Sequence, residues 1–213
     1  MSKHKIQTQA EHYLTCRYNT PARMSAYGYQ IKETMECSPN NVLEIGLGNG
    51  IVSLILKKFG FSVTTLDHNK KLCPDIVASV TNIPLDDGSF DVVLCCEVLE
   101  HIPYSDFEKA LREIYRVTRK HLIITLPDKN RYFSITAKIP MMRERRLVIE
   151  CPFLFPKKHK YDGEHYWEIG KKGYSLGRIC KSINNSGFTI TSTYRMREIL
   201  WHRMFVAHKS QIR

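Results

Sequence analysis

A short apolar run, Asn41-Val42-Leu43-Glu44-Ile45, breaks into Gly46-Leu47-Gly48-Asn49-Gly50, after which residues 51–59 follow at helical spacing and stop at Gly60. A strand that ends in alternate glycines at the start of a helix has few uses. Glycine lets the backbone turn sharply and lets a ligand approach the main chain, while the first N–H groups of the helix point outward without partners. The dinucleotide version of this loop needs glycines at 46, 48 and 51, and position 51 is Ile, which argues against NAD. The unit predicts an α/β fold with a ligand at the loop.

The rest of the chain agrees with that prediction. A second strand is expected over 61–66, ending at Asp67, and a weak third around 76–78. The run FDVVLCC over 90–96 has the near-continuous apolar character of a strand covered on both faces. A helix over 103–117 and a strand over 121–126 follow. This succession predicts a mostly parallel sheet with helices on both faces. Beyond Pro127 the pattern breaks, and 128–172, rich in proline, aromatic and basic residues, reads as an insertion or lid after the fifth strand. A helix over 176–185, closed by Gly187, and strands over 188–195 and 203–208 complete the chain. The organisation expected is one domain over 1–213. Its parts are a helical segment (1–36), a core (37–128), the insertion (128–172), and a closing helix with two strands (173–213).

Composition bounds the class. A chain of 213 residues, 43% hydrophobic and 25% charged, can bury a real core. No apolar run approaches the roughly 18–20 residues that cross a bilayer, and the polar start, Met1-Ser2-Lys3-His4-Lys5, leads into no signal core. Seven scattered cysteines without a C-x-x-C pair suit reduced thiols in a cytoplasmic protein. The net charge of +11 is unevenly placed: residues 1–130 hold 15 basic and 15 acidic residues, residues 131–213 hold 17 and six. The whole excess lies in the C-terminal part, the mark of an anionic partner or of a solvated basic face. No oligomeric state is specified.

Three further stretches accompany the glycine loop: Asp67 at the end of the second strand, NIPLDDGSFDVVLCCEVLEHI over 82–102, and REIYRVTRKHLIITLPD over 112–128. Together with VLEIGLGNG they resemble, continuously over about 40–128, the class I S-adenosylmethionine-dependent methyltransferases of the small-molecule branch. The resemblance implies a Rossmann-like sheet with an antiparallel C-terminal hairpin and S-adenosylmethionine as cofactor. By position, Glu44, Gly46, Gly48 and Gly50 would shape the pocket for the methionine end and Asp67 would hold the ribose. Thr81, Asn82 and Ile83 would flank adenine, and Cys96 with Glu97 would lie beside the sulfonium. Ser79 stands where many relatives carry an Asp that contacts the adenine amino group; its hydroxyl can still accept a hydrogen bond.

Glu97, Glu100 and His101 stand at i, i+3 and i+4, so on a helical turn all three would share one face. Two carboxylates and an imidazole can hold Mg²⁺ or Mn²⁺ with positions left for substrate oxygens. The E-x-x-E-H pattern resembles that of ubiquinone-pathway O-methyltransferases and small-RNA terminal 2′-O-methyltransferases. The latter draw a further His ligand from a later stretch that Glu164-His165-Tyr166-Trp167-Glu168 resembles. Three readings stand. Glu97, Glu100, His101 and His165 bind a metal that acidifies a hydroxyl; or His101 or His165 is a general base; or Glu97 and Glu100 cap a helix or pair with Arg112 or Arg116, and His165 sits on a loop surface.

Cys95 reads as core, and Tyr161, Tyr166 and Trp167 as a seal for the insertion or a stacking platform. Met141 and Met142 read as packing. Arg143, Arg145 and Arg146, with Lys157, Lys158 and Lys160, form two basic clusters. The function expected is O-methylation of a small hydroxyl- or diol-bearing, anionic acceptor. The alternatives are RNA 3′-terminal ribose methylation, nucleic acid not being the default partner, and a cofactor-binding protein without turnover.

Overall fold

The computed structural model describes residues 9–138, 140–141, 145–151 and 156–210. After a 3₁₀ turn at Ala10–Leu14 the chain forms α1 (Pro21–Glu36), β1 (Asn41–Ile45), α2 (Ile51–Lys58), β2 (Ser62–Asp67), β3 (Ile76–Val77), β4 (Phe90–Cys96), a 3₁₀ turn at Leu99–His101, α3 (Tyr104–Val117) and β5 (Thr118–Pro127). Then come β6 (Arg131–Ala137), β7 (Arg145–Cys151), α4 (Leu176–Asn185), β8 (Phe188–Met196) and β9 (Ile199–Lys209). Local chemistry sets several boundaries. Thr20 accepts a hydrogen bond from Arg23 N with Pro21 at the first helical position, and Ser175 caps α4 in the same way.

Seven strands form one sheet in the order β3-β2-β1-β4-β5-β9-β8. The first five run parallel, and β9 joins antiparallel to both β5 and β8. Side chains alternate between two cores, as the period of a strand requires. Leu43, Val93, Cys95 and Ile124 pack on the side of α3 and α4, whereas Val42, Leu94 and Ile123 meet α1 and α2. The sheet is therefore covered on both faces. All seven cysteines are free thiols, Cys95 lies in the core, and no helix among the described residues is long and apolar enough to cross a membrane.

After β5 the chain leaves the main sheet. Within the segment read as an insertion, residues 131–137 and 145–151 pair as a separate two-stranded sheet, the hairpin β6–β7. One of its faces is tied to the main sheet by an ion-pair network. Arg195 Nη2 lies 2.8 Å from Asp128 Oδ1, Arg203 Nε 2.6 Å from Asp128 Oδ2, Arg203 also pairs with Glu150, and Arg195 stacks over the Tyr132 ring. Arg195 and Arg203 are buried, so part of the basic excess is structural and not offered to a partner. Strand β9 starts at Ile199 rather than 203, because its antiparallel pairing extends to Pro127↔His202 with β5 and to Met196↔Ile199 with β8. Met141 is fully exposed and packs nothing; Met142 and Arg143 lie outside the described residues.

Candidate active site

A cavity of about 340 Å³ opens at the carboxyl ends of β1, β2, β4 and β5, where ligands bind in open α/β sheets. Its floor is the glycine loop. Gly46 has φ 86°, and a Cβ there would meet Val98 Cγ2 at 2.2 Å, so the position excludes every side chain. Asp67 is buried and accepts backbone N–H groups from Leu47 at 2.9 Å and Asn69 at 2.8 Å. One carboxylate thus fixes both the loop and the turn after β2. Glu44 is buried with one oxygen unpartnered, and burial pushes its pKa up to about 8.

Of the residues expected at the cofactor, Glu44, Gly46, Gly48, Asp67, Ser79 and Cys96 line this cavity, and Gly50 instead caps α2 with φ 71°. Thr81, Asn82 and Ile83 do not line the cavity. Ala78, Ser79 and Val80 take that place. The reason is a clamp from α3: Glu113 accepts from Ile83 N at 2.8 Å, Arg116 donates to Ile83 O at 2.7 Å, and the Ile83 side chain is drawn into the core. Arg116 is thereby occupied with Glu113, Asp87 and the loop, which removes it as a partner for Glu97 or Glu100.

The other end of the cavity is built from distant segments. Glu97, expected to share a helical face with Glu100 and His101, does not. Its φ is 52°, the helical turn starts only at Leu99, and its carboxylate meets His202 Nε2 on β9 at 3.1 Å. A non-glycine residue in the left-handed region is a strained position, held here by its surroundings. Glu100 turns fully inside with neither carboxylate oxygen partnered, and burial, with the charge of Glu97, pushes its pKa well above the carboxylate range. His101 faces His165, ring centroids 5.0 Å apart. Glu100, His101 and His165 each offer a donor atom within 4.8 Å of the others; Glu97 is outside that group.

Tertiary contacts bring residue 165 to residue 101. Tyr166 N donates to Glu100 O at 2.8 Å, and the buried Trp167 donates to Ile102 O and packs on Tyr104 and Phe107. Trp167 therefore seals the insertion against α3; Tyr161, which stacks on Tyr166, stays exposed. His101 Nδ1 lies 3.0 Å from Glu164 O and His165 Nδ1 3.0 Å from Glu168 Oε1. Both oxygens can only accept, so both Nδ1 atoms carry hydrogen and the basic nitrogen of each neutral ring is Nε2. Burial, then His165, lower the pKa of His101. At His165 burial acts the same way but is outweighed by Glu168 and Asp162, and the pKa rises. Burial also opposes the charge of Glu168, yet His165, Lys129 and Lys171 hold its carboxyl below the usual range.

Several lining residues had no sequence motif to announce them. Arg23, Tyr27 and Gln30 face the cavity from α1, with Tyr13 and Tyr18 before it; the i, i+4, i+7 spacing on α1 was their available signal. Asn49 Nδ2 donates to Asn19 Oδ1 and Tyr27 Oη, which ties this segment to the glycine loop. Trp201 and His202 line the opposite rim. Among the described residues, no lysine or arginine from 131–213 lines this cavity. Arg145, Arg146, Arg195, Arg197 and Arg203 border a second one of about 480 Å³, and Lys157, Lys158 and Lys160 are surface residues.

Residues 43–124 match the family described as a methyltransferase domain. Over those residues the chain is similar to the class I S-adenosylmethionine-dependent methyltransferases. The sheet order and the glycine-loop end of the cavity agree with that similarity. An uncharacterised protein of Methanocaldococcus jannaschii is 34% identical over 42% of this chain and 41% of its own length. A ubiquinone biosynthesis O-methyltransferase of Paramagnetospirillum magneticum is 35% identical over 29% and 30%. The chain thus spans less than half of the length of these relatives. The crystal structure of a 1,6-didemethyltoxoflavin N1-methyltransferase from Burkholderia thailandensis, with bound S-adenosylhomocysteine, shares the fold of this chain at a TM-score of 0.60. It is 12% identical over 95% of this chain and 87% of that one.

Proposed function

We propose that this chain transfers the methyl group of S-adenosylmethionine to an oxygen of a small hydroxyl-bearing acceptor. The observation that carries the reading is the placement of Glu100, His101 and His165 in the same cavity as the glycine loop and Asp67. Proton acceptors face the place where the methyl donor would lie, and a hydroxyl needs its proton removed as it attacks. The acceptor oxygen forms a bond to the methyl carbon as the carbon–sulfur bond breaks. The hydroxyl proton passes to His101 Nε2, and S-adenosylhomocysteine leaves. The lowered pKa of His101 keeps it neutral and ready to accept at neutral pH, while Glu168 holds His165 in position. A cavity that holds both reactants in line supplies the rest through orientation.

The same three donors fit a divalent cation. A buried carboxyl with two unpartnered oxygens beside two imidazoles whose Nδ1 atoms are engaged is the donor set such an ion takes. Mg²⁺ or Mn²⁺ held by Glu100, His101 and His165 would lower the pKa of a bound hydroxyl. The cavity's Lys and Arg side chains are Arg23 and Lys129, facing Glu44, Asp67, Glu97, Glu100 and Glu164. That balance favours an uncharged acceptor over an anionic one and gives an RNA backbone little to hold. The relative named for ubiquinone biosynthesis supports oxygen as acceptor atom, and the N1-methyltransferase of the same fold makes nitrogen the alternative to test.

The test is calorimetry with S-adenosylmethionine, followed by a methyl-transfer screen over phenols, diols and amines in Mn²⁺, in Mg²⁺ and in EDTA, with His165→Ala run alongside. Turnover of a hydroxyl acceptor that falls in the variant supports the reading. Amine-only turnover, or a variant as active as the parent, sinks it. Turnover undiminished by EDTA assigns the chemistry to the His101 base without a metal.

A further inference from the structure

The hairpin β6–β7 has two unlike faces. Strand pairing sets Phe133 opposite Ile149 and Ile135 opposite Leu147, with Arg131 opposite Cys151 and Ala137 opposite Arg145 at the ends. All of these share one face, because alternate residues of a strand point the same way. The other face, with Tyr132, Ser134, Arg146 and Glu150, is the one tied to Arg195, Arg197 and Arg203. The apolar face therefore points away from the body of the protein. Phe133 is 64% exposed, Ile135 63%, Leu147 57% and Ile149 49%. Four large apolar side chains in one contiguous, solvent-facing patch mark an interaction site.

We propose that this face docks on an anionic lipid surface. Two observations choose that occupant. The patch carries Arg131 and Arg145 at its ends, with exposed Lys138 following β6. It also belongs to the segment 131–213 that holds the whole +11 of the chain. Apolar side chains framed by cations are the pattern that enters the headgroup boundary of an anionic leaflet. Second, the four side chains line neither described cavity. A second copy of the chain is disfavoured because face-to-face pairing would set like-charged arginines against each other at close range.

Flotation with vesicles of phosphatidylcholine alone, and of about one part phosphatidylglycerol to three parts phosphatidylcholine, tests the assignment without a methyl donor or acceptor. The parent chain partitions at least about tenfold more onto the anionic vesicles, and rising salt weakens it. Phe133→Ser with Ile135→Ser removes at least about tenfold of that binding, since two inserted side chains are lost. Arg131→Glu with Arg145→Glu removes at least as much, with the apolar patch intact. Both changes lie on exposed positions, so the melting temperature should not move; should the serine variant fold poorly, the charge variant decides. Absent or charge-independent partitioning of the parent overturns the proposal. So do variants that bind as the parent does, or sedimentation showing a dimer that Phe133→Ser with Ile135→Ser dissolves. Failure here leaves the methyl-transfer reading untouched, because no turnover is measured.

Discussion

The two ends of the central cavity are made in different ways. At the cofactor end, residues 44–50 and 67 lie on one β-α-β unit, and Gly46 and Asp67 act through the backbone: one by having no side chain, the other by accepting two N–H groups. At the histidine end, Glu97, Glu100 and His101 meet His165 and His202 only because Trp167 is buried against α3 and β9 pairs with β5. The first is a local construction that needs one stretch of chain. The second is an assembly of three stretches, each held by contacts remote from the chemistry. Under the proposed function, binding falls to the local end and reaction to the assembled end.

The sharpest way to break that division is His101→Ala. Loss of a proton acceptor is expected to lower turnover by about 10²–10⁴-fold, while the calorimetric affinity for S-adenosylmethionine stays within about twofold of the parent. A variant that loses cofactor affinity instead would show that the two ends are not separable. Next in size is Asp67→Ala. Removing a buried carboxylate that accepts two backbone N–H groups is expected to weaken cofactor binding by roughly 10²-fold. Unchanged affinity in a folded variant would remove Asp67 from the cofactor site.

The smallest effect is a slope with pH. Burial raises Glu44 from 4.5 to about 8. The folded chain therefore keeps a proton there that the unfolded chain has released above about pH 4.5. Stability from this group is fully present below pH 4.5 and is lost as pH rises through about 8. Without cofactor, Glu44→Gln should flatten the decline in melting temperature between about pH 5.5 and pH 9. At pH 9 it should melt a few degrees above the parent. Parallel pH profiles for the two proteins would show that Glu44 is not held protonated in the fold.

The proposed lipid face extends the same comparison outward. The neutral stretch 1–130 carries the cofactor end, whereas the basic excess of 131–213 lies outside the cavity, in buried pairs at Arg195 and Arg203 and around the exposed β6–β7 hairpin. The charge, which from the sequence alone pointed toward the acceptor, does not line the central cavity among the described residues.

What the sequence determined by itself is whatever depends on neighbours along the chain. The strand at 41–45, the glycine loop, the helix behind it, Asp67 at the end of β2 and the buried run 90–96 all stand where periodicity and glycine chemistry put them. The single-residue accuracy of β1 and β4 has the same origin, since apolar runs bounded by turn residues state their own ends. Tertiary structure decided the rest. Ile83 turns away from the cavity because Glu113 and Arg116, some thirty residues later, grip its backbone. Glu97 leaves the helical face of Glu100 and His101 because His202, on an antiparallel strand, receives it in a left-handed turn. The hairpin within 131–151 was not legible in the sequence because its apolar residues alternate on a face that covers no core. A side chain's place in a site follows from which distant backbone holds it, and that information is spread over contacts that no local pattern records.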